Sequence, residues 1–189
     1  MTPIVRGAVS AARGGGDPTR TLVAWSSSGG PFYECIAASK TGDPVSGGWW
    51  LYALQAHSTQ LNDYPKLGVW PDGIYMSANM FAGNSWAGVR MWALNRSDMY
   101  SGAPLRSVVF TLSAASGYGS LLPANLRGAQ PPASAPNYFA AIDTNVLQLW
   151  KFHVDWVTTS NSTFTGPTSL STTFSWPPSS VPENGGTSL

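Results

Sequence analysis

Short apolar runs of alternating polarity, split by clusters of Gly, Pro, Ser and Asn, recur along most of the chain. "TLVAW" (21–25), "FYECIAAS" (32–39) and "WWLYALQA" (49–56) read as strands, separated by "SSSGGP" and "KTGDPVSGG". Alternation with a period of two marks a half-buried strand, and Gly, Pro and Asn supply the backbone angles of tight turns. The same pattern continues in "KLGVW" and "IYMSANMF" (74–81) around a Pro-Asp-Gly turn, then in "AGVRMWALN" (87–95) and "LRSVVFTLS" (105–113). It returns in "YFAAID" (138–143), "VLQLWKFHVDWV" (146–157) and "LSTTFSW" (170–176). Residues 1–20 show no clear period and are expected to be poorly structured; 114–137 is expected to be irregular and 177–189 a disordered tail. One β domain is therefore expected over 21–176.

Three segments share a signature: "WWLYAL" (49–54), "RMWALN" (90–95) and "QLWKFHV" (148–154), built around Trp50, Trp92 and Trp150. A repeating unit of about 40–50 residues with up to four strands is the size of a propeller blade. The predicted class is all-β, as a propeller-like array of about three to four antiparallel blades. A β-sandwich is the competing architecture, because strand spacing does not separate the two. Three or four units lie at or below the lower limit of a closed ring. A fragment, a truncated reading frame and a chain that self-associates through exposed blade edges are all open.

Composition supports the class. Nine Trp, seven Tyr and seven Phe stand among 20 Gly and 15 Pro, and hydrophobic residues make up 43% of the 189 residues. Charged residues reach only 10%, and the formal net charge is +1. Scattered Lys and Arg give no electrostatic case for nucleic acid or acidic membrane surfaces. A single cysteine, Cys35, rules out an intrachain disulfide. No apolar run approaches the ~20 residues of a membrane span. The first twenty residues lack the continuous apolar core of a signal peptide.

"YECIAASKTGDPVSGGWWLYAL", "DYPKLGVWPDGIYMSANMF", "LLPANLRGAQPPASAPNYF" and "LQLWKFHVDWVTTSNSTFTGP" resemble stretches of a family of bacterial, mostly exported β-propeller proteins. That family has the blade architecture of sialidases and arabinanases and is largely uncharacterised. The resemblance runs over roughly residues 30 to 176 and implies blades and export. It implies no particular chemistry. Both ends of the chain depart from the family pattern, so a partial member is expected.

Propellers of the sialidase and arabinanase type put carboxylates at one end of a central channel, and glycoside hydrolysis usually needs two carboxyl groups, one protonated and one ionised. Asp72 lies in Pro-Asp-Gly, where the side chain commonly serves the turn itself, and Asp43 in "GDP" has the same explanation. Asp98 is expected in a solvated loop. Asp63, paired with Asp155 or Asp143, is the candidate catalytic set. In "KFHVDWV" the period of two puts Lys151, His153 and Asp155 on one face, either as a ligand-binding or proton-relay strip or as a plain solvated face. Trp70 is a candidate stacking platform for a sugar ring. Two histidines far apart give no metal-ligand spacing, and no cofactor is expected. The expected function is a binding or structural module for a carbohydrate or cell-surface ligand. A glycosidase-like hydrolase is the runner-up, and a non-functional fragment of a larger propeller the third reading.

Overall fold

A computed structural model of the chain describes residues 10–14, 17–26, 30–132 and 134–173, with side chains described from residue 30 onward. It is all-β and antiparallel, in three four-stranded sheets whose strands follow one another in chain order. The first sheet holds β1 (Ser10–Gly14), β2 (Asp17–Ser26), β3 (Phe32–Ser39) and β4 (Trp49–His57). The second holds β5 (Leu61–Val69), β6 (Ile74–Ala82), β7 (Ser85–Leu94) and β8 (Ser107–Ser113). The third holds β9 (Leu122–Pro123), β10 (Asn137–Asp143), β11 (Val146–His153) and β12 (Thr163–Ser171).

Two sequence expectations change here. β1 and the start of β2 fall within residues 1–20, where the pattern indicated little regular structure. β12 begins at Thr163, seven residues before the strand expected at 170–176. The stretch 114–137 is irregular as expected, apart from a helical turn at Ala114–Ser116 and the two residues of β9, the first strand of the third sheet. Those two residues make a ladder with β10. Beyond them Leu126 N–H donates to the Val69 carbonyl (2.9 Å) and Asn125 Oδ1 accepts from the Val69 N–H (3.0 Å) at the end of β5, while Ser120 and Leu121 bond to Asn79 and Ser77 of β6. Two residues are too few to show an alternation in the sequence. The proposed tail, 177–189, lies outside the described residues.

The middle sheet is covered on both faces. Along β6 and β7 successive side chains go to opposite sides, as the pleat requires. Ile74, Met76, Met80, Trp92 and Leu94 join Ile36 and Ala38 of the first sheet in one core. Tyr75, Val89 and Met91 join Phe139, Trp150 and Phe152 of the third sheet in another. The second core is aromatic, with edge-to-face pairs at Tyr75–Phe152 (5.2 Å), Phe110–Phe152 (5.1 Å) and Tyr118–Trp150 (4.9 Å). Each such pair adds about 0.5–1.5 kcal/mol beyond area burial.

The first strands converge: β5 lies against both β1 and β9. Trp92 and Trp150 occupy the third strands of their sheets, and each points into the core shared with the preceding sheet. Trp50 sits on a fourth strand, so "WWLYAL" is not the structural counterpart of the other two segments.

The three meanders run in the same sense, so the loops gather at two ends. At one end lie the β3–β4 and β5–β6 turns, helix α1 (Arg96–Ser101) between β7 and β8, and the β9–β10 and β11–β12 connections. Side chains tie these loops together, including Tyr52 Oη to the Met99 carbonyl (2.9 Å) and Trp70 Nε1 to the Ala135 carbonyl (2.9 Å). The β6–β7 and β10–β11 turns and the links between sheets lie at the opposite end.

Candidate functional site

The Trp70–Gly73 turn closes through Trp70 N–H to the Gly73 carbonyl (2.9 Å) and lifts Asp72 to the loop-bearing end. Tyr75 is the second residue of β6, and its hydroxyl donates to both carboxylate oxygens of Asp72, at 3.1 and 3.0 Å. Asp72 is half-buried. Burial pushes its carboxyl above the usual carboxylate range, while Tyr75 and the charges of His153 and Arg96 pull the other way. Burial and the Asp72 charge together push the Tyr75 phenol far up, so it stays a donor.

Trp156 arrives from the third sheet. Its Nε1 donates to the main-chain carbonyl of Asp72 at 2.6 Å. The Arg106 guanidinium stands over its indole ring, 6.0 Å from the centroid. Arg106 is itself held by Asp98, through Nε to Oδ2 (2.7 Å) and Nη2 to Oδ1 (2.9 Å), with the Arg106 N–H also on Oδ2 (3.2 Å). This corrects the expectation for Asp98, which is 9% exposed and organises the loop. The Arg106 hydrogen bond, ahead of every other influence, holds its carboxyl below the usual range. Asn95 caps α1 by accepting from the Asp98 N–H (3.0 Å), which fixes Asp98 toward Arg106.

Between these groups lies an open cleft of about 540 Å³ lined by Pro71, Asp72, Asn95, Arg96, Tyr100 and Trp156, with Ser97 and Ser101 at its side. Arg96 also donates from Nη1 to the Trp70 carbonyl (3.3 Å). The lining combines one carboxyl, one guanidinium, two aromatic rings and hydroxyls. Such a surface can hydrogen-bond a polyhydroxylated ligand and cover its apolar face.

The residues singled out from sequence fall into separate places. Asp155 lies beyond the end of β11, at the same end as Asp72. Its Oδ1 accepts from the N–H groups of Val157 (2.8 Å) and Thr158 (2.9 Å), and its Oδ2 from Asn161 (3.3 Å). Those backbone donors, Thr158 first, hold it well ionised. Asp143 is at the β10–β11 turn, paired across the ladder with Val146, and accepts from the Thr144 N–H (2.6 Å). From Val146 to His153, β11 spans 8 residues, so Asp143 and Asp155 are separated by about 25 Å.

Asp63 also lies away from the cleft. Its register partner is Asn79, and β5 reaches the Asp72 turn only beyond Val69. The strand bulges between Asp63 and Lys66 and Tyr64 takes a positive φ of 57°, which turns the Asp63 carboxylate onto the Tyr64 N–H (2.8 Å). Asp63 therefore does not meet Asp155.

Lys151 and His153 are exposed and alternate with buried Phe152 and Val154, as the period of two predicts; Asp155 leaves that face because the strand ends first. His153 stands close enough to Asp72 and Asp155 to influence both carboxyls. Trp70 is half-buried, packs on the aromatic core and is pinned through Ala135. Asp72, Arg96, Tyr100 and Trp156 carry the cleft instead. The one sequence hint was the acid of the Pro-Asp-Gly turn standing three residues before Tyr75. No family model, curated protein or solved structure matches the chain.

Proposed function

We propose that the chain is a propeller-type binding module that takes a carbohydrate in the cleft at Asp72. The observation that carries this reading is the cleft itself, where Asp72, Arg96, Tyr100 and Trp156 combine hydrogen-bonding groups with aromatic surface. Three four-stranded meanders of one sense support the blade architecture, as do the converging first strands and the middle sheet covered on both sides. Loops gathered at one end of such an array are the usual seat of ligand sites, because a rigid scaffold positions them.

Binding is favoured over glycoside hydrolysis by the state of the carboxylates. Glycoside hydrolysis usually needs a second carboxyl free to act as base or nucleophile within about 5–10 Å of the acid. Asp155 is engaged by two backbone N–H groups and Asn161. Asp63 and Asp143 lie at the other end of the sheets, each on the N–H of the next residue. Burial raises the Asp72 carboxyl in the direction an acid needs.

The test is calorimetric titration with a panel of neutral and uronic-acid oligosaccharides. Trp156→Ala and Asp72→Asn should each weaken the binding member by tenfold or more, and Asp63→Asn should leave it unchanged. Retention of affinity in both cleft variants would remove this site from consideration. Turnover of any panel member, abolished by Asp72→Asn, would favour the hydrolase instead.

A further inference from the structure

We propose that two copies of this chain pack end sheet to end sheet and close a six-sheet ring. The middle sheet shows what covers a face of this kind: a neighbouring four-stranded meander of the same sense, on each side. Among the described residues the two outer faces lack that cover, and each carries exposed apolar side chains.

On the third sheet, the register places Leu122 beside Ala140 and Leu147 beside both Ile142 and Leu170. Ile142 is 63% exposed, Leu122 48% and Leu170 45%. Leu122, Ala140, Ile142 and Leu147 line a shallow apolar groove of about 330 Å³. On the first sheet, Leu51 is 73% exposed and stands across the ladder from Ala37, with Ala53 across from Cys35. Apart from Lys151 and His153 at one margin of the third sheet, these described positions carry no charge. Isolated apolar residues at a surface need no explanation, but a contiguous set on a flat sheet face does.

A second copy fits the geometry as well as the chemistry. Because β5 lies against both β1 and β9, successive sheets turn about a common side instead of stacking in a straight pile. Continuing that turn sets the third sheet of one copy against the first sheet of the other, and a two-fold axis repeats the junction. The result is closed and symmetric, with six sheets, inside the range of about four to eight found in propellers. Because β9 adds only two residues, the outer face of the third sheet amounts to three strands about 4.8 Å apart and about seven residues long, about 330 Å². Two junctions between such faces remove about 1,300 Å², within the range of a stable protein interface. Faces, not strand edges, make the contact.

The inference rests on the blade-like stacking and not on what the cleft binds, so its test reads mass alone. Light scattering on the purified chain should give twice the 20.0 kDa of one copy. Ile142→Glu and Leu51→Glu lie on exposed positions of opposite outer sheets, and each should give single copies that still unfold cooperatively in urea. Mixing the two variants should restore pairs, since one supplies an intact third sheet and the other an intact first sheet. A wild-type chain that stays single would overturn the proposal, whether further chain or another protein covers the faces. So would a Leu51→Glu variant that still pairs, which would mean that two third sheets meet, and so would masses that grow without limit. Loss of oligosaccharide affinity with pairing intact would instead count against the cleft reading alone.

Discussion

The indole N–H of Trp156 donates to the main-chain carbonyl of Asp72 across 2.6 Å, joining residues 84 positions apart in the chain. This bond fastens the β11–β12 loop of the third sheet to the β5–β6 turn of the second, and both walls of the cleft depend on it. Removing the donor while keeping an aromatic ring isolates its contribution. Trp156→Phe should lower the stability by about 1 kcal/mol, the usual net worth of one hydrogen bond. Equilibrium urea unfolding measures this, and an unchanged midpoint would show that the loop is held elsewhere.

Asp72 gives a pH signature of definite sign. Its folded carboxyl titrates above the unfolded value of about 3.9. Below that value the group is neutral in both states and costs nothing. As pH rises, the unfolded chain releases its proton first, and stability falls until the folded group ionises as well; the penalty then persists at neutral pH. Asp72→Asn keeps an acceptor for Tyr75 and removes the penalty. The variant should resist urea better than the wild type at neutral pH and match it near pH 3. Equal midpoints at both pH values would mean that Asp72 is better solvated than its surroundings indicate.

Asp98 has the opposite sign. Arg106 holds its folded carboxyl below the unfolded value, so the stabilisation is fully present above the unfolded value and disappears as pH falls through the folded one. Asp98→Asn should be the less stable protein at neutral pH, and the two unfolding curves should converge in acid. A constant difference across the acid range would locate the effect in the helix cap at Asn95 and not in the Arg106 pair.

Gly102 ends α1 with a φ of 76°, and a Cβ placed on it would stand 2.6 Å from a ring carbon of Trp50. Alanine there meets both a disfavoured backbone angle and an aromatic ring. Gly102→Ala should cost about 1–3 kcal/mol by urea unfolding, and a cost below about 0.5 would mean that Trp50 packs elsewhere.

Asp63 serves as the contrast. It is exposed, and its described hydrogen bond is to the N–H of Tyr64. Asp63→Asn should change stability by no more than about 0.5 kcal/mol. A larger loss would show that the bulge at Tyr64 relies on the charge.

Local alternation determined much of this protein. It gave the all-β class, the position of most strands from 21 onward, the turn at Pro71–Gly73 and the inward face of β11 at Phe152 and Val154. These follow because a strand buries every second side chain, and turn residues are chosen for backbone angles that neighbours in sequence already fix. The Trp repeat was half legible: Trp92 and Trp150 are true counterparts, but Trp50 imitates them from a fourth strand, since alternation reports a face and not a place in the sheet. Tertiary structure decided the site. Whether a carboxylate is desolvated, as at Asp72, or spent on nearby backbone, as at Asp63, Asp143 and Asp155, depends on what other loops bring to it. Trp156 comes from the third sheet, and neighbours that distant leave no period in the sequence around Asp72.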